Sequence, residues 1–151
     1  MPRPILVSAC LLGLNTRYDG RTKTNAAVRD YLARHDLLPV PVCPEQLAGL
    51  SIPRPASQFV SGDGASVLDG HGLLRDATGA EVGAVFLRGA RETLKVAEVT
   101  GCREALLKER SPSCGCRFVY RAEAIVPGQR VTAAVLARHG LQLLSEEDLP
   151  S

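Results

Sequence analysis

The sequence lacks the features that would place the chain in a membrane or along nucleic acid. No apolar run approaches the ~20 residues that cross a bilayer as a helix. The net charge is only +2 and no block of Lys and Arg stands out, so nucleic-acid binding through a broad basic surface is not indicated. The start, Met1-Pro2-Arg3-Pro4, enters a strand-like run without the long apolar stretch of a signal peptide. We therefore expect a cytoplasmic protein with no membrane partner.

Two familiar cysteine arrangements are also missing. The paired Cys-x₂₋₄-Cys knuckles of many structural zinc sites do not occur, and the one close pair, Cys114 and Cys116, has a single residue between its members. None of the histidines, His35, His71 and His139, lies next to the cysteine segments, so a Cys–His nucleophile pair loses support. Five cysteines are an odd number, and stable disulfides are rare in the cytosol. Clustered thiols in that compartment indicate a metal site or catalysis.

The apolar pattern alternates between buried strands and amphipathic helices. It predicts strands over residues 4–9, 37–42, 104–108 and 141–144, and helices over 25–35, 82–100 and 129–138. This alternation is typical of an α/β fold, and we expect a single domain over residues 1–151. It has three layers, with a mostly parallel sheet and helices on both faces. Pro39 and Pro41 remove two backbone donors, so strand 37–42 is expected either to pair on one side only or to be irregular.

Two further segments interrupt the alternation. Residues 44–64 are rich in Pro, Gly and Ser, and are predicted to form a long connection of the kind that is often functional. Residues 65–68 and 73–75 predict a small β-hairpin insertion that turns at Asp69-Gly70-His71-Gly72.

Three cysteines lie at or just beyond the ends of predicted strands: Cys10, Cys43 and Cys114. Right-handed crossovers place the strand-to-helix loops at one edge of a parallel sheet, where ligands collect. We therefore expect these three thiols to lie close together. Cys102 is interpreted as a core residue, because a thiol in a cytosolic protein often only fills space.

Three thiolates that converge from distant segments form a site for a soft metal. Dispersed single cysteines suit an iron–sulfur cluster better than zinc, because the corners of a cubane are spread over several ångströms. Four irons with three protein thiolates leave one iron open. That iron is a Lewis acid able to hold a substrate atom.

Polar residues beside these cysteines fit an open catalytic position. Glu45 lies two residues past Cys43 and is a candidate general acid or base. Ser111 and Ser113 flank Pro112 just before Cys114, where a hydroxyl would orient a water or bond a cluster sulfur. Further charged and polar side chains are expected to reach the same pocket and to donate hydrogen bonds to a ligand. They are Arg17, Tyr18, Asp19, Arg54, Lys108 and Arg110. The alternative for each is a place on the solvated surface.

Five motifs, in order along the chain, make the sequence recognisable. They are Val7-Ser8-Ala9-Cys10-Leu11-Leu12-Gly13, Arg17-Tyr18-Asp19-Gly20, Pro41-Val42-Cys43-Pro44-Glu45, Gly89-Ala90 and Leu107-Lys108-Glu109-Arg110-Ser111-Pro112-Ser113-Cys114-Gly115. Together they resemble the thiouracil desulfidase family, and the likeness spans residues 4–146.

The resemblance implies a 4Fe–4S cluster held by Cys10, Cys43 and Cys114, with a small thio-base such as 2- or 4-thiouracil as substrate. It implies that Glu45 and Ser111 place and activate the attacking water. The reaction would be a hydrolase-type removal of sulfur that yields the oxo-pyrimidine and hydrosulfide without net redox change. Ser113, Arg17, Tyr18 and Asp19 are the expected substrate-binding residues.

Two alternatives stay open at this point. One is a sensor or sulfur carrier that uses thiols or a cluster and needs no catalytic base. The other is a structural zinc protein in which Cys116 joins Cys10, Cys43 and Cys114 as the fourth ligand. Cys116 bears on the enzyme hypothesis too, because a fourth protein ligand would close the open iron.

Overall fold

Eight strands and five helices are assigned in the residues that the computed structural model describes, which are 2–21, 24–109, 114–115, 118–121 and 124–149. The strands are β1 (Arg3–Ser8), β2 (Leu37–Val42), β3 (Ser57–Ser61), β4 (Leu73–Asp76), β5 (Glu104–Leu107), β6 (Phe118–Arg121), β7 (Ala124–Pro127) and β8 (Gln142–Ser145). The helices are α1 (Ala26–Arg34), α2 (Pro44–Leu47), α3 (Gly64–Leu68), α4 (Gly83–Thr100) and α5 (Val131–Arg138). Single 3₁₀ turns follow β1 at Ala9–Leu12 and β8 at Glu146–Asp148.

The four strands predicted from the apolar runs form one parallel sheet, in the order β2-β1-β5-β8. The chain passes from β1 to one neighbour, β2, and later returns to the other side of β1 as β5. The strand order therefore reverses at β1, and such a switch point opens a crevice beyond the carboxyl ends of the strands. β2 lies at the edge of this sheet, which confirms that the strand containing Pro39 and Pro41 pairs on one side only.

Helices cover both faces of this sheet, as predicted. On one face, Val28 and Leu32 of α1 pack in a cluster with Ile5 and Val7 of β1. On the other face, α4 and α5 pack against the sheet through buried residues that include Ala97, Ala133 and Leu136. The Asn25 side chain begins α1 by accepting bonds from the N–H groups of the first turn, as a helix cap does.

A second four-stranded sheet, ordered β4-β3-β6-β7, lies on the far side of α4 and α5. Phe59 and Leu74 of this sheet share one apolar cluster with Phe86 and Ala90 of α4. The two helices are thus packed between two sheets. The sequence predicted only a small hairpin in this region, because the other strands are short and lack a clear alternation.

The prediction of a hairpin from strands 65–68 and 73–75, turning at Asp69-Gly70-His71-Gly72, is correct only for its second strand. Residues 65–68 belong to helix α3, and the strand that pairs with β4 is β3. Asp63 and Ser66 form a reciprocal capping box, in which each side chain bonds the backbone N–H of the other residue. Local capping therefore makes this stretch helical despite its strand-like composition.

The segment 44–64 is not a structureless connection. It contains α2 directly after Cys43, and then β3. Pro44 occupies the first turn of α2, where its missing N–H has no helical partner to lose.

Among the helices in the described ranges, none is both long and apolar enough to cross a membrane. The cytoplasmic location and the single-domain organisation stay predictions.

The buried side chains of β1, an inner strand of the parallel sheet, contribute strongly to the free energy of unfolding. Leu6→Ala, at a position with no solvent exposure, should lower the free energy of unfolding by about 2–5 kcal/mol, since it leaves a cavity between the sheet and α4. Leu38→Ala on the neighbouring strand is the matched control, because Leu38 is 53% exposed. Its cost should stay within about 0.5 kcal/mol. Urea denaturation measures both, and equal losses would contradict this placement of the core.

Candidate functional site

A cavity of about 520 Å³ opens at the carboxyl ends of β1, β2 and β5. Cys10, Cys43 and Cys114 all line it, although they come from three distant segments. The cavity therefore lies at the switch point of the parallel sheet, where the strand order predicts a ligand site. Its volume is in the range of small-molecule sites, about 300–1,000 Å³.

Cys10 lies in the 3₁₀ turn that follows β1. Gly13 ends this turn with a φ of 99°, a left-handed conformation that favours glycine. Burial raises the pKa of the Cys10 thiol to about 11, opposed most by the positive charge of Lys108, while nearby Cys43 raises it further. At neutral pH this thiol is protonated, and it must lose a proton to bind a metal.

Cys43 is the N-cap residue, directly before α2. Its sulfur donates to the Thr16 carbonyl oxygen over 3.7 Å, which connects it to the loop after the first strand. Burial raises the pKa of the Cys43 thiol, and the carboxylate of Glu45 raises it further. The N–H of Gln46, at the start of α2, acts in the opposite direction by stabilising the thiolate.

Glu45 forms a buried ion pair with Arg54. The Arg54 Nε and Nη2 atoms both donate to Glu45 Oε2, at 2.9 and 2.6 Å, and each side chain is only 5% exposed. Two charges taken out of water need such a partner, because an uncompensated buried charge costs several kcal/mol.

Arg54 also joins the loops around the cavity. Its guanidinium donates to the carbonyl oxygens of Ser51 and Thr16, and its backbone N–H donates to the Tyr18 carbonyl oxygen over 2.8 Å. Arg54 lines the cavity, and through these bonds it orients Glu45 and the 16–18 segment.

A second ion pair lies beside Cys10. Lys108 Nζ is 2.9 Å from Glu146 Oε2, with the two side chains 12% and 7% exposed. Glu146 also accepts from the Glu109 N–H over 2.8 Å and from Ser145 Oγ. The Lys108 N–H donates to Ser8 Oγ, so the ends of β1 and β5 are tied together under the cavity.

Of the three predicted substrate-binding residues in the first loop, Arg17 and Tyr18 line the cavity. Asp19 is not among the residues that line it. The Asp19 carboxylate accepts the Arg21 N–H and lies 3.6 Å from Arg17 Nη2, so it shapes the loop that presents Arg17.

The predicted residues Arg110, Ser111, Ser113 and Cys116 lie outside the described residues, and their roles stay predictions. Cys114 and Gly115, between them, are described and buried. A Cβ on Gly115 would collide with the Glu109 carbonyl oxygen and lie 2.9 Å from Arg130 Cγ. A glycine is therefore needed directly after Cys114 for the chain to pass between these two residues.

Sequence reasoning missed one wall of the cavity. Gln58 and Arg75, which are paired across β3 and β4, line it, as does Asp76. These residues belong to the second sheet, and none of the sequence motifs includes them. Only the packing of that sheet beside the parallel one could reveal them.

Within the described ranges, no three His, Cys, Asp or Glu side chains form a site for one metal ion. Cys102 packs in the apolar core with its sulfur 3.2 Å from Thr100 Oγ1. This confirms its interpretation as a core residue.

Taken together, the fold and the cavity define a class: an α/β protein with a thiol-lined small-molecule site at a sheet switch point. Comparison with known proteins is more specific. Residues 5–148 match the family described as 2-thiouracil desulfurase. The chain belongs to this family.

The chain is also similar to two known proteins. An uncharacterized protein of Bacillus subtilis (strain 168), YbbK, is 36% identical over 148 residues, which cover 96% of this chain and 97% of that protein. The solved structure of TudS, a 4Fe-4S-dependent thiouracil desulfidase, is 38% identical with a TM-score of 0.81. That match covers 98% of this chain and 93% of the solved one.

The Arg54–Glu45 pair should matter for stability as well as for the site. Arg54→Met leaves the Glu45 carboxylate buried without its cation and should lower the free energy of unfolding by about 3–5 kcal/mol. Arg17→Met makes the same change in the same cavity. There the contact to Asp19 is 3.6 Å long and the side chains are 32% and 28% exposed, so the cost should stay below about 1 kcal/mol. Urea unfolding of the metal-free protein measures both costs. Similar urea midpoints for the two variants would contradict a structural role for the Arg54–Glu45 pair.

Proposed function

We propose that this protein removes sulfur from a thiolated pyrimidine of the thiouracil type and releases the oxo-base and hydrosulfide. The observation that carries this proposal is that Cys10, Cys43 and Cys114 line one cavity together with Glu45. Membership of the 2-thiouracil desulfurase family supports the substrate class.

The donor set of the cavity fits a 4Fe–4S cluster. Three thiols from separate segments are soft ligands of the kind that iron–sulfur clusters use. Cys10, Cys43 and Cys114 would hold such a cluster, which would supply the Lewis acidity that favours the departure of a soft sulfur atom. The dependence of TudS on such a cluster is consistent with this assignment.

The protein's own groups handle the water and the proton. In the reaction, water adds to the thiocarbonyl carbon, a C–O bond forms, the C–S bond breaks, and sulfur leaves as hydrosulfide with no change in oxidation state. Glu45 accepts the proton of the attacking water, and Ser111 holds that water in line. Arg54 keeps the Glu45 carboxylate in one orientation through its two bonds to Oε2.

Substrate binding is assigned to residues of the first loop and to Ser113. Arg17 donates charge-assisted bonds to a carbonyl of the base, and Tyr18 offers an amphipathic ring beside it. Asp19 orients Arg17, and Ser113 adds a hydroxyl next to Cys114.

Cysteine substitutions test the cluster. Protein purified without oxygen should be brown, and Cys10→Ala, Cys43→Ala or Cys114→Ala should each lose most of the bound iron and all release of hydrosulfide from 4-thiouracil. Cys102→Ala is the matched control, because Cys102 lies in the apolar core, and it should keep both. Iron, zinc and sulfide analysis with a hydrosulfide assay measures the outcome. One zinc and no iron per chain would establish the structural zinc alternative instead.

Substitution of the proposed base separates an enzyme from a sensor or sulfur carrier. Glu45→Gln keeps the shape of the side chain but removes the proton acceptor, so kcat for 4-thiouracil should fall by about 10²–10⁴-fold. Because Glu45→Gln also leaves the buried Arg54 guanidinium without its anion, kcat is expressed per bound cluster. Steady-state kinetics and iron analysis on the same sample check this. A variant with full kcat would mean that Glu45 has no role in proton transfer.

A further inference from the structure

Helix α2, which contains Glu45 of the proposed site and directly follows Cys43, is too short to be stable by itself. α2 has only four residues, and Cys43 and Glu45 lie at its beginning. Isolated helices of this length do not form in water, because nucleation costs more than one turn returns. The position of α2 is therefore set by the elements that contact it.

α4 contacts α2 more closely than any side chain would allow. A Cβ built on Gly89, in the middle of α4, would overlap the Pro44 carbonyl oxygen. It would also lie 3.0 Å from both the Pro44 carbonyl carbon and Ala48 Cβ. Because the overlapping atoms belong to the backbone, no change of rotamer relieves the collision, and the whole turn would have to move.

Two more contacts hold the same turn. At its end, Arg88 Nη2 donates to the Ala48 carbonyl oxygen over 2.8 Å. At its start, Arg54 holds Glu45 by the two bonds already described. α4 is an 18-residue helix packed between both sheets, so it gives α2 a rigid support.

We propose that Gly89 is a positioning residue, whose missing side chain sets how deeply α2 lies on α4 and thereby places Cys43 and Glu45 relative to Cys10 and Cys114. This inference rests on the proposed function, since it assigns the placement of a cluster ligand and of the base. Gly89 itself touches neither substrate nor the reacting atoms.

Gly89→Ala tests the inference, and Gly83→Ala is its matched control. Gly83 lies in the same helix, and a Cβ there would meet only Val67 Cγ1, at an ordinary 3.7 Å. Both proteins are reconstituted without oxygen, and the measurements are iron and sulfide per chain, the EPR spectrum of the reduced cluster, and kcat and KM for 4-thiouracil. Gly89→Ala should lower kcat per bound cluster by about 100-fold and change the EPR spectrum, because misplacement by about 1 Å has effects of this size. Gly83→Ala should match the wild type.

The possible results separate this inference from the proposed function. Wild-type kcat and EPR spectrum in a folded Gly89→Ala protein would overturn the role of Gly89. A wild-type protein that binds no iron, or binds it without releasing hydrosulfide, would overturn the proposed function. If Gly89→Ala does not fold by circular dichroism, Arg88→Met decides, since Arg88 is exposed and, among the described residues, its side chain bonds Ala48 alone. A fall in kcat of about tenfold at normal iron content would support the seating of α2 on α4, and an unchanged kcat would overturn it.

Discussion

The buried ion pair between Arg54 and Glu45 is the interaction on which the cavity depends. It joins α2, which carries Cys43, to the segment at 51–54 and, through Arg54, to the loop at 16–18. Each of these pieces is short and has little secondary structure of its own. Both side chains are buried, so any other orientation of either one would leave a buried charge without compensation. The observed orientation of the two side chains is therefore strongly favoured in free energy. The same pair that stabilises the fold therefore also fixes the proposed base.

A comparable arrangement supports the Cys10 side of the cavity. Lys108 forms an ion pair with Glu146, and Ser8 Oγ accepts a hydrogen bond from the Lys108 N–H. These contacts hold the ends of β1 and β5 and the turn after β8 together. Burial raises the pKa of the Cys10 and Cys43 thiols and so favours their protonated form. Ligand binding must displace those protons, and the cation beside Cys10 eases that step. The site thus combines buried thiols with fixed charges held in ion pairs.

Much of the fold follows from local patterns. Apolar runs indicate the four parallel strands, and 3.6-residue periodicity indicates α1, α4 and α5, because both depend on which side of an element is buried. The handedness of crossovers then brings the strand ends to one edge, which is why the meeting of Cys10, Cys43 and Cys114 could be predicted. The same reasoning failed for residues 65–68, where a capping box outweighs composition.

By itself, the sequence determined the parallel sheet, the cysteines at its carboxyl edge and the presence of Glu45 beside one of them. Each of these depends on neighbours in the chain or on a general rule of chain handedness. Only the tertiary structure decided that Arg54 pairs with Glu45, that Lys108 pairs with Glu146, and that β3 and β4 close the cavity with Gln58 and Arg75. Such partners are selected by packing between distant segments, and no local pattern records which buried charge meets which.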